Sequence, residues 1–102
     1  MPVLRLSRGS FPAEKYPMVR DRLAHAQSSL VPAIEALHGC LHFWAGADPA
    51  SNTMVNISVW ATLEDARQME TLAPMLALAS EFASLGVQFE RPITNYQSLW
   101  EI

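Results

Sequence analysis

His38, Cys40 and His42 follow an H-x-C-x-H spacing. On a regular strand three such side chains point one way, and imidazole with thiolate suits zinc or copper. Gly39, however, reads as the residue just past a helix end, which takes His38 off the strand. No carboxylate in the sequence completes the set, although Glu35 is near, so no metal is expected. Cys40 reads as a small buried residue rather than a nucleophile.

His42 belongs with a second group. CLHFWA (Cys40–Ala45) and VNISVW (Val55–Trp60) both alternate like strands. A hairpin loop centred near Asp48 to Ala50 sets position 44 opposite 56, and 42 opposite 58. Alternation then gathers Cys40, His42, Trp44, Asn56, Ser58 and Trp60 on one face. Leu41, Phe43, Ala45, Val55, Ile57 and Val59 share the other. The apolar set suits a dry packing layer. The mixed set has the makings of an aromatic-walled pocket with a few oriented polar groups. There His42 would accept a proton, Asn56 and the Trp60 N–H would donate hydrogen bonds, Ser58 would line the floor, and Trp44 would form a wall. The competing reading is a packed face in which Trp and Asn satisfy each other and exclude ligand.

These residues need a scaffold. PVLRLSR (Pro2–Arg8) alternates and predicts strand one, with Gly9-Ser10 as its break. Tyr16, Val19, Leu23, Ala26 and Leu30 form one apolar stripe of a helix beginning at Pro12. His25 lies at the edge of that stripe and reads as a surface histidine. Pro32 predicts a break near Ser28-Ser29 and a short restart from Pro32 to Leu37. Strand two is Cys40 to Ala45, Gly46 to Asn52 is turn chemistry, and strand three is Met54 to Ala61. Thr62, with Asp65 three residues on, caps a helix from Leu63 to about Thr71. Pro74 and Gly86 bracket a further helix with Met75, Leu78, Ala79, Phe82 and Leu85 on its apolar face. Pro92 bends the tail, leaving Ile93 to Ile102 as strand four.

The order is β-α-β-β-α-β: an α+β, ferredoxin-like domain with a four-stranded antiparallel sheet and helices on one face. Residues 1–102 form one domain. Strands two and three carry no charge on either face, so both faces should be covered. Helices cover one, and a second copy of the chain is the simplest cover for the other, giving a homodimer through the open sheet face.

Composition narrows the function classes. The chain has 102 residues, 50% of them hydrophobic, and a net charge of −3. That excludes disorder and gives no footprint for nucleic acid or an anionic membrane. A single cysteine allows no intrachain disulfide. The opening MPVLRLSRGSFP has no apolar signal-like core, and no stretch is long enough for a membrane span, so a cytoplasmic location is expected.

LHGCLHFWAGAD (Leu37–Asp48) and VNISVWATLEDARQM (Val55–Met69) resemble the dimeric α+β barrel superfamily. Within it the chain is similar to the antibiotic biosynthesis monooxygenase-like proteins: a strand ending in Trp, then a capped helix opening L-E-D-A. The resemblance implies a homodimer with facing sheets and a ligand cleft between sheet and helices in each subunit. It implies activities that include cofactor-free oxygenation of aromatic polyketides, quinol oxygenation, isomerisation and haem degradation. In the polyketide oxygenases a strand Asn and a Trp four residues later line the cleft, as Asn56 and Trp60 would. A helix-borne Tyr and Arg complete that pocket; here only Arg67 stands near, and there is no Tyr. Haem degradation is disfavoured, since strand one has no Asn and Leu63 to Leu85 has no Trp or His.

Beyond these, Met69, with Met75 and Leu72, reads as core that also suits an adaptable ligand wall. Tyr96 on the last strand faces either the pocket or the dimer interface. Arg5, the only strand charge flanked by apolar residues on both sides, is expected to pair with Glu101 or else hold an acidic ligand. The expected function is a cofactor-independent monooxygenase, or related isomerase, acting on a small aromatic or quinone-like compound. The alternative is a non-catalytic dimer that binds a small hydrophobic ligand. No cofactor is expected.

Overall fold

A computed structural model describes all 102 residues. The elements are β1 (Val3–Ser10), α1 (Tyr16–His25), α2 (Gln27–Glu35), β2 (Cys40–Asp48), β3 (Thr53–Trp60), α3 (Leu63–Arg67), α4 (Ala73–Ser84), β4 (Gln88–Phe89) and β5 (Thr94–Gln97). Short 3-10 turns, Ala13–Lys15 and Gln68–Thr71, precede α1 and follow α3. The sheet runs β2-β3-β1-β4, with β5 also pairing β1, and every pair is antiparallel. The β4 and β5 segments lie along the same edge of β1. Together they replace the single fourth strand expected from the sequence, interrupted around Pro92. Residues beyond Gln97 are not strand. No helix is long and apolar enough to cross a membrane.

β1 alternates strictly between buried and exposed residues. Val3, Arg5, Ser7 and Gly9 face the helices; Leu4, Leu6, Arg8 and Ser10 face away. Gly9 does not break the strand. A side chain there would lie 2.7 Å from Val87 Cγ1, so glycine lets the tail approach β1. The inward face meets α1, α2, α3 and α4 around a core that includes Trp60, Phe82, Met69, Val19, Leu30 and Ile34.

The helical region before β2 also differs from expectation. The junction lies at Ala26 rather than Ser28-Ser29, and Pro32 sits inside α2. The Ser28 and Ser29 hydroxyls donate back to the His25 and Ala26 carbonyls. With αR geometry at Ala26 and a Leu30 N–H bond to its carbonyl, the chain passes from α1 to α2 with little interruption.

The α3 N-terminus forms as its sequence dictates: the Thr62 hydroxyl accepts from the Asp65 N–H at 3.1 Å. His38 Nδ1 donates to Asp65 Oδ1 at 2.8 Å, and Gln68 donates to the His38 carbonyl while accepting from its N–H. The loop before β2 is thereby tied to α3. Gly39 (φ +76) packs so tightly on the Asp65 carboxylate that no side chain fits there.

Candidate functional site

The β2–β3 register decides what the inward face offers. Asp48 pairs with Thr53, so the loop is Pro49 to Asn52, longer by one position than a centre at Ala50 allows. Asp48 accepts from the Ala50 and Ser51 N–H groups, and Asn52 takes φ +53. Trp44 consequently pairs with Ile57, and Ala45 with Asn56. This one-residue shift separates the expected group. A further irregularity between Cys40 and His42 leaves Cys40 opposite Trp60 and His42 opposite Val59.

His42 and Trp44 therefore lie on the open face, stacked with ring centroids 5.3 Å apart. Asn56, Ser58 and Trp60 lie on the inward face, with Phe43 and Ala45 of β2. Trp60 is fully buried and donates its indole N–H to the Ser58 hydroxyl at 2.9 Å, so neither is free for a ligand. This pair is packed, through Trp60 and Ser58 rather than the expected Trp and Asn, and Asn56 lines the cavity. Arg67 is exposed and outside the cavity, and Tyr96 faces outward beside Leu4. Met69 is buried and lines the cavity. Burial raises the Cys40 thiol pKa, which leaves it a poor nucleophile.

The cavity, about 350 Å³, lies between the inward face and the Met69–Ala79 region. Its floor is Arg5, Ser7, Met54 and Asn56. Its sides are Met69, Glu70, Met75, Leu76 and Ala79, and the tail closes it with Phe89, Arg91, Pro92, Ile93 and Asn95. Across the sheet, Ser58, Arg5 and Asn95 stand in one register row. In the next row Ser7 faces Asn56.

Arg5 is 7% exposed, yet it forms no ion pair. The pairs in the chain are Arg8–Glu90, Arg20–Asp21, Arg22–Glu81 and His38–Asp65. The expected Arg5–Glu101 pair does not form, because the inward face carries Arg5 under the helices while Glu101 lies in the exposed tail. Burial lowers the Arg5 pKa, the charge of Glu70 opposes that, and Arg91 adds to it. A guanidinium remains ionised through such shifts. Asn95 Oδ1 is buried and has no donor. Glu70 is the only carboxylate of the lining. The cavity thus presents a buried cation, an orphan acceptor, an amide and one base, against a methionine-rich wall.

The sequence reading missed Glu70, Arg91 and Asn95 and undervalued Arg5. The signal for Arg5 was present: it is the lone charge among Val3, Arg5 and Ser7, on the face that alternation buries.

A second, larger groove of about 470 Å³ runs between α1–α2 and the edge strand β2, lined by residues such as Leu23, Leu30, Phe43 and Trp44. Its charged lining is Arg20, which is exposed and held beside Asp21. It lacks the convergent buried polar groups of the Arg5 cavity.

No protein-family model and no curated protein matches the sequence. Solved structures do match the fold. A provisionally named antibiotic biosynthesis monooxygenase from Deinococcus radiodurans superposes with a TM-score of 0.75 at 20% identity, over 98% of this chain and 95% of the other. SnoaB, a cofactor-independent oxygenase from Streptomyces nogalater, gives 0.69 at 12% identity, over 99% and 96%. Another provisionally named antibiotic biosynthesis monooxygenase, from Nitrosomonas europaea, gives 0.73 at 14% identity, over 97% and 91%. The chain has the ferredoxin-like α+β fold of these antibiotic biosynthesis monooxygenase structures, over nearly its whole length.

Proposed function

We propose that the protein is a cofactor-independent monooxygenase acting on a small aromatic or quinol-like compound in the Arg5 cavity. The observation that carries the reading is a ligand-sized cavity with a buried, unpaired cation at its floor, in a fold shared with a cofactor-independent oxygenase. Such chemistry draws its electrons from the substrate. A phenol or activated methylene loses a proton, and the resulting anion reacts with dioxygen. The hydroperoxide formed then loses water, so that one methylene and one dioxygen become one carbonyl and one water. The protein's part is to hold the anion, move the proton and keep bulk water out. Arg5 supplies a fixed positive charge where the anion develops. Glu70, the one base of the lining, takes the proton. Asn56 orients a polar substituent, and Met69 and Met75 bracket the ring.

An isomerase that forms the same anion would use the same groups. A non-catalytic binder would keep the cavity and Arg5 and dispense with Glu70. The protein works as a cytoplasmic homodimer joined through the open sheet face, where Leu4, Leu6, Trp44, Ile57 and Tyr96 are exposed together. Oxygen uptake by the purified protein against a panel of hydroquinones and anthrones, with no metal or flavin added, tests the reading. Turnover of at least one member is expected; failure with the whole panel would count strongly against it.

A further inference from the structure

We infer that the Arg5 cavity selects ligands carrying an anionic oxygen and, on the same ring, a separate hydrogen-bond donor, as in a meta-hydroxy aromatic acid. Arg5 is the anchor for the anion and Asn95 Oδ1 the acceptor for the donor. The inference deepens the proposed function, since it names the substrate class of the same site.

Two features of the cavity lining point to this class. Arg5 is more than nine-tenths buried without an ion-pair partner, and a buried charge is tolerated only when something compensates it. The nearby opposite charge is Glu70, on the exposed side of the cavity, and Arg91 offsets it with a second positive charge. The lining therefore carries two cations against one carboxylate. A bound anion supplies the missing partner, and a neutral ligand does not. The second feature is Asn95 Oδ1, a buried acceptor with no donor. A ligand O–H or N–H satisfies it once the Asn95 amide, which lines the cavity, turns toward the ligand.

The two features are neighbours. Arg5 and Asn95 are direct register partners on adjacent antiparallel strands, which places their Cβ atoms about 5 Å apart on one face. One small ligand can meet both. A guanidinium offers parallel N–H donors to a carboxylate, so the anionic group lies over Arg5 with the donor turned toward Asn95. The ring then rests against Met69 and Met75.

Binding rather than turnover tests this. Isothermal titration of the full chain would compare 3-hydroxybenzoate with its neutral counterpart 3-hydroxybenzyl alcohol and with benzoate, which lacks the donor. We expect 3-hydroxybenzoate to bind about tenfold or more tighter than the alcohol, as a hydrogen bond to a charged group requires. It should also exceed benzoate. R5Q should reduce the affinity for 3-hydroxybenzoate to that for the alcohol, R5K should retain part of the difference, and N95A should erase the advantage over benzoate. Equal binding of acid and alcohol by the unaltered protein, unchanged acid affinity in R5Q, or no acid binding at millimolar concentration would each overturn the inference. Selective binding without oxygen uptake would leave it standing and remove the monooxygenase reading. Turnover of neutral quinols by a protein that ignores the acid would do the reverse.

Discussion

Arg5 is buried at the cavity floor, across from the Gln68–Thr71 turn and α4, and forms no ion pair. Desolvating a guanidinium costs several kcal/mol unless its charge is met, so the fold carries this residue at a loss when the cavity is empty. A residue retained for function and not for stability should be replaceable with a gain. R5M keeps the length and removes the charge. It should leave stability unchanged or raise it by about 1–4 kcal/mol, read from urea denaturation midpoints. A loss of that size would mean that Arg5 is a structural element. Trp60 is the contrasting case. Its spacing from Asn56 suggested a pocket donor, but its N–H is taken by Ser58 and its ring fills the core. Spacing shows which face a residue occupies; whether its polar atom is already partnered is set by three-dimensional neighbours that alternation does not specify.

At the level of elements, most of the architecture follows from local chemistry. Thr62 caps α3, and Gly86 ends the α4 region with φ +98. The inward and outward sets of β1 follow from its alternation. The β2–β3 face assignment was not legible in the same way. It depends on whether the loop holds an odd or an even number of residues, and GADPASN offers several turn-forming choices. The Asp48 carboxylate and the left-handed Asn52 settle a loop of Pro49 to Asn52, and one position moves His42 and Trp44 across the sheet. The splitting of the last strand into β4 and β5 was only half signalled, by Pro92.

The tie between α3 and the loop before β2 has a pH signature. Hydrogen bonding from His38 holds the Asp65 carboxyl below the usual carboxylate range, with the Thr62 contact adding to it and desolvation opposing it. A depressed folded-state pKa means that the unfolded chain binds more protons in acid. The stabilisation is present above the ordinary carboxylate value of about 3.9, and is lost as pH falls through the lower folded value. D65N should therefore be less stable than the parent at neutral pH, with the gap closing below about pH 4. Thermal melts across the acid range check this; a gap constant with pH would refute it.

For the whole molecule, the sheet offers one face to its own helices and leaves the other open. Leu4, Leu6, Ile57, Trp44 and Tyr96 together make an apolar surface larger than scattered exposure produces. If a second copy covers it, a charge at its centre should separate the copies. I57K should run as a monomer in light scattering where the parent runs as a dimer, with the Arg5 cavity on the opposite side of the sheet still formed. A parent that is itself monomeric would exclude the sheet-to-sheet pairing.

In the proposed function the two sides of the sheet divide the labour: one joins subunits, and the other holds an anion beside oxygen. The oxygen electrode probes that division most directly, with the parent and R5Q compared on the best substrate of the quinol and anthrone panel. Loss of a fixed charge opposite a developing anion should lower turnover by about 10²–10³-fold, while the protein stays folded. Equal oxygen uptake by parent and R5Q would show that the chemistry takes place somewhere other than over Arg5.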